Sequence, residues 1–175
     1  VAVTLMLPGL ALYYGGLSRT KNILNTIMVV FGGFAVTAVL WVLVGYGLTL
    51  GDSAGGAGLI GNPDGLFGIQ SLLGQETPEG AVPAILIAVF QLIFAGLTVG
   101  IIGGAVEGRM KFSSWLIFSG LWALLVYFPV AHWVFAFDSA DGSTLGGWIA
   151  NGVGAIDFAG GTAVHMNAGV AALVL

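Results

Sequence analysis

The chain has 175 residues, of which 58% are apolar and only 7% charged, with a formal net charge of −4. An ordinary soluble domain carries about 25% charged residues, so this composition excludes a soluble enzyme. The 4 basic residues leave no basic surface for nucleic acid, and the absence of cysteine removes disulfides, thiolate metal sites and a cysteine nucleophile.

A membrane helix needs about 20 mostly apolar residues. Residues 1–17 open inside an apolar run with no charged n-region, so they read as a first span, started or bent at Pro8, and not as a signal peptide. A short polar connection follows at 18–22 (SRTKN), then a second span at 23–50, long enough to be tilted. Residues 51–80 form a long loop rich in Gly, Pro and acids, in which Leu66-Phe67-Gly68-Ile69 suggests a short interfacial piece. The third span is 81–106, the connection 107–111 (EGRMK) joins it to the fourth at 112–135, and a second long loop runs over 136–157. The fifth span starts near Phe158 and occupies 158–175. Continuous apolar runs, not alternation at period two, argue against a barrel. No soluble domain fits between the spans. Both ends lie inside apolar runs, so the expectation is a fragment of a longer protein.

The charges sort by loop. Arg19, Lys21, Arg109 and Lys111 all lie in the two short connections. Asp52, Asp64, Glu76, Glu79, Asp138, Asp141 and Asp157 lie in or beside the long loops, and only Glu107 sits with the basic set. The positive-inside rule makes the short loops cytoplasmic and the N-terminus external. An odd number of spans is compatible with a half of an inverted-repeat transporter, whose twin lies in the opposite orientation.

Polar groups inside a bilayer are costly, and those that remain are the first functional candidates. His165 lies eight residues past Asp157, about 12 Å along a helix and so toward the midplane. It reads equally as a pore group or as a core histidine satisfied by a carbonyl. Asp157 begins the fifth span, where capping of free N–H groups is favoured over ion coordination. Phe90 and Phe94, with Gln91 between them, share a helix face in the outer half of the third span. Their rings could attract a small cation, although phenylalanine in a membrane helix usually just packs. His132, Trp133 and Phe135 end the fourth span at the outer interface. The Gly pairs permit close helix approach and lack the Gly-Lys-Ser/Thr context of a phosphate loop.

The run Leu7-Pro8-Gly9-Leu10-Ala11-Leu12-Tyr13-Tyr14-Gly15-Gly16-Leu17, with Lys21-Asn22 after it, resembles the first span of the ammonium transporter (Amt/Mep/Rh) family. Ile156-Asp157-Phe158-Ala159-Gly160-Gly161-Thr162, followed by Val164-His165-Met166-Asn167-Ala168, resembles that family's fifth-span signature. Phe90-Gln91 with Phe94, and Tyr127-Phe128-Pro129-Val130-Ala131-His132, match in order, and the Amt/Mep branch is closer than Rh. The resemblance covers essentially the whole chain. It implies an all-α membrane protein in which five transmembrane helices form the first inverted repeat of an eleven-helix fold, assembled as homotrimers in the cell membrane.

Carried over residue by residue, the resemblance makes Phe94 the outer gate and part of an external ammonium site, with Phe90 and Gln91 beside it. His165 becomes the first of two pore histidines and Asp157 the family's structural aspartate. Tyr127 and His132 line or support the outer vestibule. Many members place a tryptophan where this chain has Phe135, and phenylalanine is the weaker cation–π partner. Trp133, about 200° around the helix, cannot replace it. The implied activity is uptake of ammonium, ammonia or methylammonium without cofactor or metal, with a cytoplasmic PII-type signal protein as partner. The rivals are an ammonium sensor of the same fold, a membrane metallohydrolase using His132, His165 and Asp157, and a non-functional fragment. No HExxH spacing supports the metallohydrolase.

Overall fold

The computed structural model describes residues 2–75 and 81–175. Val1, Glu76 and Glu79, used in the sequence reading, lie outside the described residues. Helices dominate, and among the described residues β-structure is limited to one antiparallel bridge between Ser53 and Gly61.

A 3-10 turn at Ala2–Leu5 leads into α1, Met6–Leu17, which ends where Ser18 turns extended. α2, Ile23–Leu40, continues through a widened π turn at Trp41–Gly45 into α3, Tyr46–Leu50. α4, Ala84–Val106, begins after Pro83 and not at residue 81, because proline favours a helix's first positions and disfavours helix in the residue before it. Glu107 turns extended, Gly108 takes a left-handed φ of 69°, and the chain reverses. α5, Phe112–Trp122, passes through a second π turn at Ala123–Tyr127 into α6, Phe128–Phe135. Pro129 lies just after that turn. Proline lacks an N–H and clashes with the carbonyl four residues earlier, and a widened turn relieves both. Another π turn at Gly161–Met166 opens α7, Asn167–Val174. This last helical stretch starts later than residue 158, because Asp157 to Gly160 form its capping turn, with Gly160 left-handed at φ 75°.

Among the described residues, three helical stretches are long and apolar enough to cross a membrane: Thr20–Leu50, Ala84–Val106 and Phe112–Phe135. Two shorter apolar stretches, Ala2–Leu17 and Gly161–Val174, accompany them. Large apolar side chains such as Leu12, Leu24, Leu125 and Leu173 face outward, as they do in a protein whose solvent is hydrocarbon.

α2 packs against α1, α4 and α5, and α4 also meets α1 and α7. The buried centre is aromatic: Trp41, Trp115, Tyr127 and Phe128 are fully enclosed. Both indoles find carbonyl acceptors, Trp115 at Val29 (2.7 Å) and Trp41 at Ala88 (3.1 Å), so neither indole N–H is left orphaned. Gly33 of α2 admits the tip of Val99 and the edge of Trp115, where a Cβ would stand 2.9 Å from the valine methyl. At one end, the buried Thr26 hydroxyl bonds Glu107 Oε1 (2.9 Å) and Ser18 Oγ (2.9 Å), tying the two short connections together. Arg19, Lys21, Arg109 and Lys111 are all exposed at this end.

The opposite end is covered by the long loops. Ser53 N–H donates to the Leu145 carbonyl (2.8 Å), Trp148 N–H to Gly58 (3.1 Å), and the Trp133 indole to Leu59 (2.6 Å). The interfacial piece is a 3-10 segment at Phe67–Leu72, with Gly68 and Ile69 both at positive φ. In the second loop, hydroxyls of Ser139 and Ser143 hold the exposed Asp141 carboxyl down at about 2.

A candidate conduction path along one face of α4

Four residues of α4 stand at positions 90, 94, 97 and 101. Steps of four, three and four keep them on one face of the helix, over about 16 Å of its length. Phe90 and Phe94 lie edge to face, ring centroids 4.9 Å apart and planes at 76°. In that arrangement the edge of one ring meets the face of the other, and ring faces are the part of an aromatic that attracts a cation. Phe90 is 45% exposed; Phe94 and Gln91 are half-buried. Phe90 borders an apolar groove of about 480 Å³ shared with Val3, Val82, Leu86 and Ile93. The Phe94 carbonyl accepts the Thr98 hydroxyl at 2.6 Å.

Further along the same face, Leu97 and Ile101 line a cleft of about 470 Å³ with Gly9, Leu10, Tyr13 and Tyr14 of α1 and with the exposed His165. Tyr14 gives its hydroxyl to the Ile101 carbonyl (3.1 Å), so this wall offers the cleft mainly carbon. His165 sits in the π turn opening α7, its own N–H bonded to the Gly160 carbonyl (3.0 Å). The tyrosine wall was missed in the sequence reading. Its signal in the sequence was the presence of Tyr13 and Tyr14 in the first-span run.

Asp157 holds that π turn in place. Its Oδ1 accepts Gly161 N–H (2.7 Å), and its Oδ2 accepts Thr162 N–H (2.9 Å) and Ala163 N–H (3.0 Å). These are the free donors of a helix start, and the negative charge lies at the positive end of the dipole. Tyr127 is fully buried, edge-on to Phe128 and tilted against Trp122.

His132 is also fully buried, with Nδ1 2.9 Å from the Thr49 carbonyl. A carbonyl only accepts, so Nδ1 carries the proton and Nε2 is an acceptor. Nε2 and the buried Thr49 Oγ1 have no partner among the described residues. Phe135 is half-buried at the end of α6. It lines a small pocket of about 120 Å³ with Asp52, Ala136, Phe137 and residues 144–146. The ring pair of α4 and the histidine cleft therefore share one helix face, while Phe135 and His132 belong to the loop-covered end. Among the described residues no three His, Cys, Asp or Glu side chains converge as a metal site.

A family model described as Ammonium Transporter Family matches residues 1–175. An ammonium transporter of Mycobacterium bovis is 50% identical over 188 residues, which cover 99% of this chain and 39% of that protein. One of Aquifex aeolicus is 47% identical over 180 residues, 99% of this chain and 38% of the relative. The crystal structure of Saccharomyces cerevisiae Mep2 superposes with a TM-score of 0.81 at 34% identity, over 98% of this chain and 36% of Mep2. The chain spans about two fifths of the length of the curated relatives it matches.

Proposed function

The chain belongs to the ammonium transporter family, and on that premise we propose that it supplies one wall of an ammonium conduction path in a multi-pass membrane protein. The observation that carries the reading is the single face of α4. It leads from the Phe90–Phe94 pair to the apolar cleft beside His165. The five apolar stretches expected at 1–17, 23–50, 81–106, 112–135 and 158–175, with the third and fifth helical from 84 and 161, serve as the spans of the first inverted repeat of an eleven-helix fold. The N-terminus faces outside the plasma membrane, a reading that the basic residues of the short loops support. Resemblance to the family adds a homotrimer and a cytoplasmic PII-type partner.

Ammonium reaches the outer end of α4 hydrated. The faces of Phe90 and Phe94, with Gln91 as a polar neighbour, replace part of its water shell; each aromatic contact contributes about 0.5–2 kcal/mol. Phe135 adds a ring at the end of α6. An ion cannot cross the carbon-lined cleft cheaply, but ammonia can. NH4+ therefore divides into NH3, which enters the cleft, and a proton, which leaves to water or to a ring nitrogen of His165. Asp157 acts indirectly, by fixing the turn that carries His165, and Tyr127 and His132 brace the outer end.

The test is saturable ammonium uptake by the full-length parent protein in proteoliposomes. Transport is expected, with half-saturation raised about 5-fold in Phe94→Ala, one aromatic contact's worth. An intact parent that binds ammonium without moving it would be a sensor.

A further inference from the structure

We infer that Asn151 is a positioning residue for the outer aromatic end of α6, an inference that rests on the transport reading above. α6 ends at Phe135, and the chain turns extended at Ala136. Asn151 lies in the short π segment Trp148–Val153 of the second long loop, and its amide is spent on this turn. Nδ2 donates to the Ala136 carbonyl (3.0 Å) and to the Gly147 carbonyl (2.8 Å). Oδ1 accepts Asp138 N–H (3.0 Å), while Asp138 Oδ1 accepts Gly146 N–H (2.7 Å). One side chain thus ties together residues 136, 138 and 147, using both of its donors.

The loop lies so close to the helix end that residues 146 and 147 must be glycine. A Cβ on Gly146 would stand 2.6 Å from Asn151 Nδ2, and one on Gly147 would collide with the His132 carbonyl. Of the residues joined in this way, Ala136 and Gly146 also wall the small pocket that contains Asp52, together with their chain neighbours Phe135, Phe137, Thr144 and Leu145. Without Asn151 the Ala136 carbonyl keeps the Gly147 N–H (2.9 Å) but loses the side-chain tie, and the turn that follows Phe135 loosens. The residue touches no substrate; its effect passes through the ring it holds in place. An aspartate at 151 would keep the bond to Asp138 N–H but set a carboxylate oxygen against two carbonyls.

The decisive experiment measures the ammonium dependence of uptake by the full-length parent in proteoliposomes, for wild type, Asn151→Ala, Asn151→Asp, Phe135→Ala and the Phe135→Ala/Asn151→Ala double variant. Half-saturation is expected to rise about 3- to 10-fold in Asn151→Ala, the size of one or two net hydrogen bonds. The maximal rate should stay within about two-fold, and Asn151→Asp should be affected at least as much. In the Phe135→Ala background the further rise should be under about two-fold, since residues acting as a unit are not additive. If Asn151→Ala yields no folded protein, Asn151→Gln, which shifts the amide by one methylene, should show a smaller rise in the same direction. An unchanged half-saturation, a fall in maximal rate alone, or fully multiplicative effects with Phe135→Ala would overturn the assignment. A wild-type parent that neither transports nor is stabilised by ammonium would overturn the transport reading, and this role with it.

Discussion

Asp157 accepts three backbone N–H groups with its two carboxylate oxygens, so it organises backbone and leaves little capacity for an ion. Replacing it with alanine should lower stability by about 1–3 kcal/mol, read as a fall in the thermal midpoint of the full-length protein. Asp157→Asn should lose less, because the amide oxygen still accepts. If Asp157→Ala kept wild-type stability but lost ammonium binding, the carboxylate would be a ligand and not a cap. The cap was legible in the sequence as the favoured of two uses, capping or ion coordination, for an acid at the head of an apolar run. Asn151 and Thr49 were not. Asn151 closes a loop onto a helix end 15 residues away, and Thr49 meets His132 across 83 residues. No local pattern marks either partnership.

At the scale of elements, apolar continuity made the helices legible and concealed their irregularity. Thr20–Leu50 and Phe112–Phe135 each contain a π turn, and only the second has a local cause in Pro129. The first answers to packing: Gly45 faces the Phe128 ring, and a Cβ there would come within 2.5 Å of it. Phe128 in turn lies 5.8 Å from Trp41, centroid to centroid. Gly45→Val should therefore destabilise by about 1–3 kcal/mol through overpacking. Adding Phe128→Leu should recover part of that loss, since neighbours in contact couple. Additive losses in a thermal-unfolding cycle would mean that the Gly45–Phe128 contact is not what makes the larger side chain costly. The helix starts at 84 and 161 came later than apolarity alone suggests, because Pro83 and the Asp157–Gly160 turn decide them.

For the whole molecule, the sequence composition carried the all-helical membrane class, and the charges supply an orientation to be tested. The exposed Arg19, Lys21, Arg109 and Lys111 gather at one end, where the Thr26–Glu107 bond joins their loops. Asp52, Asp138 and Asp141 lie in the loops at the other end. With no cysteine in the chain, single thiols can report on each side of this region. In intact cells an impermeant maleimide should label Asp141→Cys directly and Lys111→Cys only after permeabilisation; the reverse pattern would invert the topology. The joining of an aromatic pair to a histidine cleft along one helix was legible only in part. Phe90 and Phe94 share a face by spacing, but the α1 wall of Leu10, Tyr13 and Tyr14 exists only once α1 packs on α4.

The central claim is that the α4 face ends at a histidine that takes part in conduction. The most direct measurement is ammonium-evoked current through the full-length parent in proteoliposomes, for wild type and His165→Ala, with potassium as the competing ion. The expected result is an ammonium-selective wild type and a His165→Ala variant, folded and inserted to the same extent, whose rate or selectivity over potassium is altered. A current with the same rate and the same selectivity in both proteins would contradict the account and leave His165 a packing residue.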